Sequence, residues 1–149
     1  MSDLLKLDQQ LCFPLYAASN LMTRLYRPLL EDIDLTYPQY LVMLALWETA
    51  PRSVGDLGKQ LFLDTGTLTP LLKRLQARGL ISRQRDPGDE RRVVVDLTEE
   101  GRSLKAKAED VPRGLICALP LPLEDVVDIR DRLQQFLHLL ASADPRSQG

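Results

Sequence analysis

Thiol chemistry has two homes in this chain, Cys12 and Cys117, and a thiol that ionises can reduce a peroxide or condense with a second thiol. Cys12 sits in Leu11-Cys12-Phe13-Pro14-Leu15-Tyr16, where apolar neighbours alone would mark an inert core cysteine. Pro14 changes that reading, because proline suits the first turn of a helix. A regular helix beginning beside Cys12 places its sulfur at the positive end of the helix dipole, where a thiolate is stabilised. The four tyrosines, Tyr16, Tyr26, Tyr37 and Tyr40, fall in the same region. Phenol hydroxyls can donate hydrogen bonds to a thiolate, although Tyr16 and Tyr40 fit packing roles better. Along one straight helix Cys12 and Tyr26 stand about 21 Å apart. They cannot meet within a chain, whereas an antiparallel two-fold dimer can bring them together. Cys117 falls among Pro112, Gly114, Pro120 and Pro122, a segment (112–122) expected to lie off any regular helix and to be able to move. A spectator thiol and a working thiol are equally open readings there. His138 is the only histidine and has no second ligand type beside it, which favours a structural or surface role over metal binding. The chain has no CxxC, no HExxH, no glycine-rich phosphate loop and no nucleophile elbow. Neither enzyme chemistry nor a cofactor is expected.

Phosphate attraction is the second chemistry in view. From Lys73 to Arg92 there are seven basic and three acidic residues in a chain of net charge −2, so the remainder is acidic. Salt-screened phosphate contacts need such local concentration. A charge cluster alone is usually a solvated surface, but here it coincides with a helix-turn-helix pattern. Thr65, Thr67 and Thr69 lie near the start of the second helix, where recognition helices meet base edges, and Lys73 and Arg74 follow one to two turns later. Thr65 is as well suited to capping as to base contact. Arg83, Arg85, Arg91 and Arg92 belong to a hairpin in which Asp89 can pair with Arg91 or Arg92 and stiffen the tip, leaving another arginine for the minor groove.

These residues must be positioned by mainly helical structure. With 149 residues, 44% of them hydrophobic, one domain spanning 1–149 with a sizeable core is expected. Helical periodicity runs from 4 to 33, either kinked at Pro14 or regular only from near Cys12. A second helix, 37–49, is announced by Thr36 and Gln39 at capping-box spacing. Ser53 caps a short helix carrying Val54, Leu57 and Leu61; Asp64 or Thr65 caps the next, with Leu68, Leu71, Leu72 and Leu75 inward and Gly79 as its stop. Strands 80–85 and 92–97 flank a turn at 86–90, forming a wing. Thr98 caps a helix to about 110, and 123–141 forms the last, with Val126, Ile129, Leu133, Phe136 and Leu140 as its inward stripe. The expected fold class is mainly α with a small β wing: a winged helix-turn-helix (about 53–97) flanked by dimerisation helices (about 1–35 and 111–149). No cleavable leader is visible at 1–10 and the longest apolar run, 41–47, is too short for a bilayer, so a cytoplasmic protein without a membrane partner is expected.

Four ordered segments carry a family resemblance: Gln9-Gln10-Leu11-Cys12-Phe13, Leu35-Thr36-Tyr37-Pro38-Gln39-Tyr40-Leu41, Leu63-Asp64-Thr65-Gly66-Thr67-Leu68-Thr69-Pro70-Leu71-Leu72-Lys73-Arg74-Leu75, and Asp89-Glu90-Arg91. Over nearly its whole length the chain resembles the MarR family of dimeric winged-helix regulators, and within it the OhrR group, which senses organic hydroperoxides. The resemblance implies that Cys12 is the peroxide-reactive sensor and that Tyr26 and Tyr37 hydrogen-bond to it across a homodimer. It implies further that the reduced dimer holds an inverted-repeat operator in double-stranded DNA and that oxidation releases it. A second cysteine near Cys117 marks the two-cysteine type, in which that thiol resolves the sulfenic acid by a disulfide to the other subunit. Two other classes compete with this reading: a MarR-type regulator released by an aromatic or lipophilic ligand, and a thiol peroxidase.

Overall fold

A computed structural model describes residues 3–148; Met1, Ser2 and Gly149, the ends of the expected 1–149 domain, lie outside them. After a 3-10 turn at Leu7–Gln9 come α1 (Cys12–Leu30), a second 3-10 turn (Glu31–Ile33), α2 (Tyr37–Glu48), β1 (Arg52–Ser53), α3 (Val54–Leu61) and α4 (Thr65–Ala77). β2 (Ile81–Asp86), β3 (Asp89–Leu97), α5 (Glu99–Ala108), α6 (Asp110–Ala118) and α7 (Leu123–Ala143) complete the order. The chain divides into two compact units, Met1–Leu115 and Ile116–Gly149. The fold is mainly α with one small antiparallel sheet of strand order β1-β3-β2.

α1 takes the later of the two starts. Pro14 is its third residue, where a backbone N–H has no intrahelical partner, so the ring costs no hydrogen bond. A second proline, Pro28, lies in its last turns, and Asp34 then reverses the chain in the left-handed conformation (φ 51°). α2 begins with the expected capping box: the Gln39 N–H donates to Thr36 Oγ1 at 3.3 Å and the Thr36 N–H to Gln39 Oε1 at 3.0 Å. α2 is the core helix, with Tyr40, Val42, Met43, Ala45 and Leu46 buried against Leu57 of α3, Leu68, Leu72 and Leu75 of α4, and Ile81, Val95 and Leu97 of the sheet. Each fully buried leucine contributes about 1.5–3 kcal/mol, and α4 has three in one stripe while Leu71 beside them is half-buried.

Four sequence expectations need correction. The hairpin closes over only Pro87 and Gly88, with Asp86 opposite Asp89, because the Gly88 N–H donates to Asp86 Oδ1 at 2.9 Å; β3 therefore starts at Asp89 rather than at 92. β1 was not expected: its two residues, Arg52 and Ser53, pair with Val95 and Val94, and two residues carry no alternation to read. Cys117 does lie on a regular helix, the last turn of α6; Pro112 is tolerated because it falls in the first turn, as Pro14 does. Gly114 is helical too, and its backbone approaches Leu29 so closely that a methyl group would meet Leu29 Cδ2 at 2.6 Å. Finally, the α7 stripe is not inward within the protomer: Ile129, Leu133 and Leu140 are 45–51% exposed, and only Val126 and Phe136 of the five are half-buried.

α5 is joined to the sheet through Thr98, whose Oγ1 accepts from the Gly101 N–H at 3.1 Å and donates to the Gly79 carbonyl at 2.6 Å. Trp47 Nε1 donates to the Gly101 carbonyl at 2.8 Å. Gly101 is buried, and a Cβ there would run into the Leu80 carbonyl oxygen. Backbone cannot yield as a flexible side chain can, so Gly101→Ala is expected to lower unfolding free energy by about 1–3 kcal/mol. Urea denaturation at fixed protein concentration checks this; an unchanged midpoint would show that the α5 junction has slack.

Candidate functional site

The thiol end and the phenol end of α1 are separate places. Cys12 is the first residue of α1 and its thiol is exposed. Leu11, the preceding residue, makes no side-chain cap, so the free N–H groups of the first turn favour an anion at that end. Tyr26, fourteen residues on, stacks on Tyr37 of α2 with ring centroids 4.6 Å apart, and Tyr40 completes a triangle at 5.9 Å from Tyr26 and 6.5 Å from Tyr37. At 1.5 Å per residue the helix keeps Cys12 about 21 Å from Tyr26. Burial pushes the Tyr26 hydroxyl up to about 12, with Tyr37 and Tyr40 adding to the shift. Burial also raises Tyr37, and burial followed by Tyr37 raises Tyr40. All three therefore stay protonated donors at neutral pH. Among the described residues their hydroxyls have no hydrogen-bond partner, and those of the half-buried Tyr26 and Tyr37 are within reach of a group arriving from outside the protomer. Tyr40 is buried as expected, but Tyr16 is 69% exposed and packs in no core of a single chain.

The orientation of α4 is set by the stripe of Leu68, Leu72 and Leu75, which turns the opposite side of the helix outward. Asp64, not Thr65, is the cap: its Oδ1 accepts from the Thr67 N–H at 2.8 Å. Thr65 and Thr67 are thereby exposed in the first turn, Thr69 is half-buried, and Lys73 and Arg74 are exposed further along. Between the threonines the outward column is Gly66 and Pro70, one turn apart. Neither was singled out from sequence, yet their small bulk leaves that face open to a close approach. α3 ends in Phe62, exposed and left-handed (φ 56°), which makes the turn into the Asp64 cap.

On the wing the arginines separate by role. Arg83 Nε donates to Gln76 Oε1 of α4 at 2.8 Å, tying the hairpin to that helix, and Arg85 Nη1 donates to the Glu90 carbonyl at 3.2 Å. Asp89 does stiffen the tip, but through the Arg91 backbone N–H (3.1 Å) rather than a guanidinium. Arg92 belongs to the irregular stretch of β3 between Asp89, which pairs with Asp86, and Val93, which pairs with Arg85, and its guanidinium reaches Asp56 at 3.9 Å and Asp86 at 4.0 Å. These exposed pairs contribute at most about 1 kcal/mol each. Among the described residues the side chains of Lys73, Arg74 and Arg91 have no ion pair or hydrogen bond. The anchoring partners Gln76, Asp56 and Asp86 carry no sequence signal, because their contacts depend on the fold.

Cys117 is exposed as a free thiol in the unit Ile116–Gly149. His138 Nδ1 lies 2.7 Å from the Gln134 carbonyl on the surface of α7. Among the described residues no cluster of three or more His, Cys, Asp or Glu could hold a metal, and no helix is long and apolar enough to cross a membrane. An apolar groove of about 400 Å³ opens between α2 and the α5–α6 region, floored by Tyr40, Leu44, Trp47 and Ala108 and rimmed by Glu48 and Lys105.

Residues 24–108 match a family model described as the transcriptional regulator SarA/Rot. The chain is 47% identical over 138 residues to an organic hydroperoxide resistance transcriptional regulator of Bacillus subtilis, covering 93% of this chain and 94% of that one. Among solved structures it is similar to AbfR of Staphylococcus epidermidis, reduced and bound to DNA (35% identity, TM-score 0.74, 90% of this chain and 94% of that one), a protein also solved with its disulfide formed. It is similar as well to a cysteine-to-serine mutant of MarR from E. coli complexed with operator DNA (27% identity, TM-score 0.75, 91% and 99% covered).

The raised Tyr26 hydroxyl has a consequence at alkaline pH. Between its ordinary 10.0 and about 12 the unfolded chain gives up this proton while the folded chain keeps it. The associated stability is thus complete below pH 10 and is lost as pH rises through the folded value. The denaturation midpoint is expected to fall across that window, and less steeply in Tyr26→Phe; equal slopes in the two proteins would remove Tyr26 as a cause.

Proposed function

The chain belongs to the MarR family of winged-helix transcriptional regulators, in the organic-hydroperoxide-sensing OhrR group, and from that premise we propose how it represses and how it is released. Two protomers present their α4 helices to successive major grooves of an inverted-repeat operator. Thr65, Thr67 and Thr69 meet base edges or phosphates, while Lys73 and Arg74 hold the backbone. Arg83 and Arg85 brace the hairpin and add positive field, Asp89 fixes its tip, and Arg92 anchors it to α3. Arg91, whose side chain has no internal partner among the described residues, is the wing arginine that enters the minor groove. The protein acts in the cytoplasm as a regulator and has no turnover chemistry of its own.

The switch is Cys12. Its thiolate attacks the distal oxygen of an organic hydroperoxide; the O–O bond breaks, the alkoxide takes a proton and leaves as an alcohol, and the sulfur becomes a sulfenic acid. Tyr26 and Tyr37 of the other protomer donate to the sulfur before reaction. The observation that carries this reading is the pairing of an exposed thiol on an uncapped helix end with protonated, open phenols that its own helix cannot bring to it. Cys117 of the other subunit then attacks the sulfenic sulfur, releasing water and forming a disulfide. A bond of that kind needs the two Cα atoms within about 7 Å, so any backbone movement required to bring them there is imposed on the dimer and on the spacing of its recognition helices. A relative solved both reduced on DNA and with its disulfide formed supports this sequence of states.

The groove beside Tyr40 and Trp47 favours one alternative, release by a non-covalent aromatic or lipophilic ligand. Gel shifts on DNA upstream of the protein's own gene separate the two. With an organic hydroperoxide the wild type should release, Cys12→Ser should stay bound, and only proteins retaining both thiols should run as covalent dimers on a non-reducing gel. Release of Cys12→Ser by the same hydroperoxide would transfer the response to the groove. Arg91→Ala is expected to weaken operator binding and reduce the salt slope by about 1, with Arg92→Ala weaker in effect; a larger loss for Arg92→Ala would reverse their assignments.

A further inference from the structure

The last turn of the recognition helix is held by the same corner that carries the phenol pair. Arg78, the C-terminal cap residue of α4, sends its guanidinium across to the α1/α2 corner. Nη1 donates to the Asp34 carbonyl, Nη2 donates to the Ile33 carbonyl at 3.4 Å, and Nη2 lies 3.6 Å from Asp34 Oδ2. The Asp34 carboxylate is 90% exposed against 33% for the Arg78 side chain, so the ion pair is weak and the grip falls on the two carbonyls. A planar guanidinium suits that task, since its donors are fixed in one fork. The carbonyls are themselves pinned: Asp34 is left-handed, and the Leu35 N–H returns to the Leu30 carbonyl at 3.4 Å. Thr36, which caps α2, comes next, and then Tyr37, whose ring stacks on Tyr26.

We propose that Arg78 is a positioning residue that couples the thiol site to the recognition helix, by fastening the end of α4 to the corner from which Tyr37 projects. The inference rests on the redox reading above. When oxidation of Cys12 withdraws the acceptor that holds Tyr26 and Tyr37, the corner bearing Ile33 and Asp34 shifts, and the guanidinium draws the end of α4 with it. Without the fork, the corner moves and α4 does not follow in full.

The test uses the full-length protein, DNA from upstream of its gene, and cumene hydroperoxide as the oxidant. Arg78→Gln removes the charge and the fork, Arg78→Lys keeps the charge without the fork, and Asp34→Asn removes only the carboxylate while tolerating the left-handed backbone. Thiol consumption at Cys12 is expected to keep its wild-type rate in all three. The ratio of reduced to oxidised operator affinity is expected to shrink by at least about threefold in both Arg78 variants, within the roughly 2- to 30-fold span of single-residue couplings, and to stay at wild type in Asp34→Asn. An unchanged ratio in the Arg78 variants would make Arg78 a brace and nothing more. An equal loss of affinity in both redox states would make it a phosphate contact, and either result overturns the proposal. If Arg78→Gln fails to fold, Arg78→Lys and Asp34→Asn decide. Wild type that keeps its operator after Cys12 is oxidised would instead sink the redox reading itself, and this inference with it.

Discussion

A straight helix holds its residues at fixed separation, and α1 makes that rule the organising constraint of this protein. It puts an exposed thiol at one end and a phenol about four turns away. No rotamer closes such a gap. In the function proposed above, chemistry between the two falls to a second copy running the other way, and each compact unit leaves apolar residues open, Leu11 and Phe13 in one and Ile129, Leu133 and Leu140 in the other. In that proposal sensing and assembly depend on the same rigid element. A flexible first segment would have allowed a contact within one chain and removed the need for a partner.

The second constraint is steric. Leucines at 68, 72 and 75 are buried without remainder, which leaves α4 no freedom to rotate about its axis and so fixes which residues look outward. Charge is then apportioned by the fold. Arg83, Arg85 and Arg92 have internal partners and shape the wing, whereas Lys73, Arg74 and Arg91 are left to neutralise something else. A chain of net negative charge can still attract phosphate, because counterion release depends on the charges within a Debye length of the backbone and not on the total.

Much of this is legible in the amino-acid sequence. Capping signals at Thr36, Ser53, Asp64 or Thr65, and Thr98 place four helix starts, and Gly79 places a stop at φ 73°. Local chemistry reads well because each cap is satisfied within three residues. The failures share the opposite property. β1 exists through pairing with residues some forty positions away, and Arg78 reaches as far back to find its carbonyls; neither leaves a local trace. Proline misled in a different way. Pro112 reads as a helix breaker only if its position is ignored, for it falls in the first turn of α6, where, as at Pro14 in α1, there is no hydrogen bond to lose. The site followed the same division: residue types and periodicity pointed to Cys12, the tyrosines and the basic hairpin, but the assignment of each arginine had to wait for the fold.

One feature of the α2/α5 junction reaches beyond packing. Trp47 is the only tryptophan in the chain, and it is half-buried with its indole N–H bonded to the Gly101 carbonyl. Indole emission responds to hydrogen bonding and to the polarity of its surroundings, so the protein carries an unlabelled optical probe where the core helix meets the helix that follows the wing. Tyr40 lines the same groove, and the tyrosine triangle it belongs to can pass excitation to that indole. Light absorbed by the phenols is emitted from the junction, which makes relative movement of the two regions visible as colour and intensity without altering a single atom.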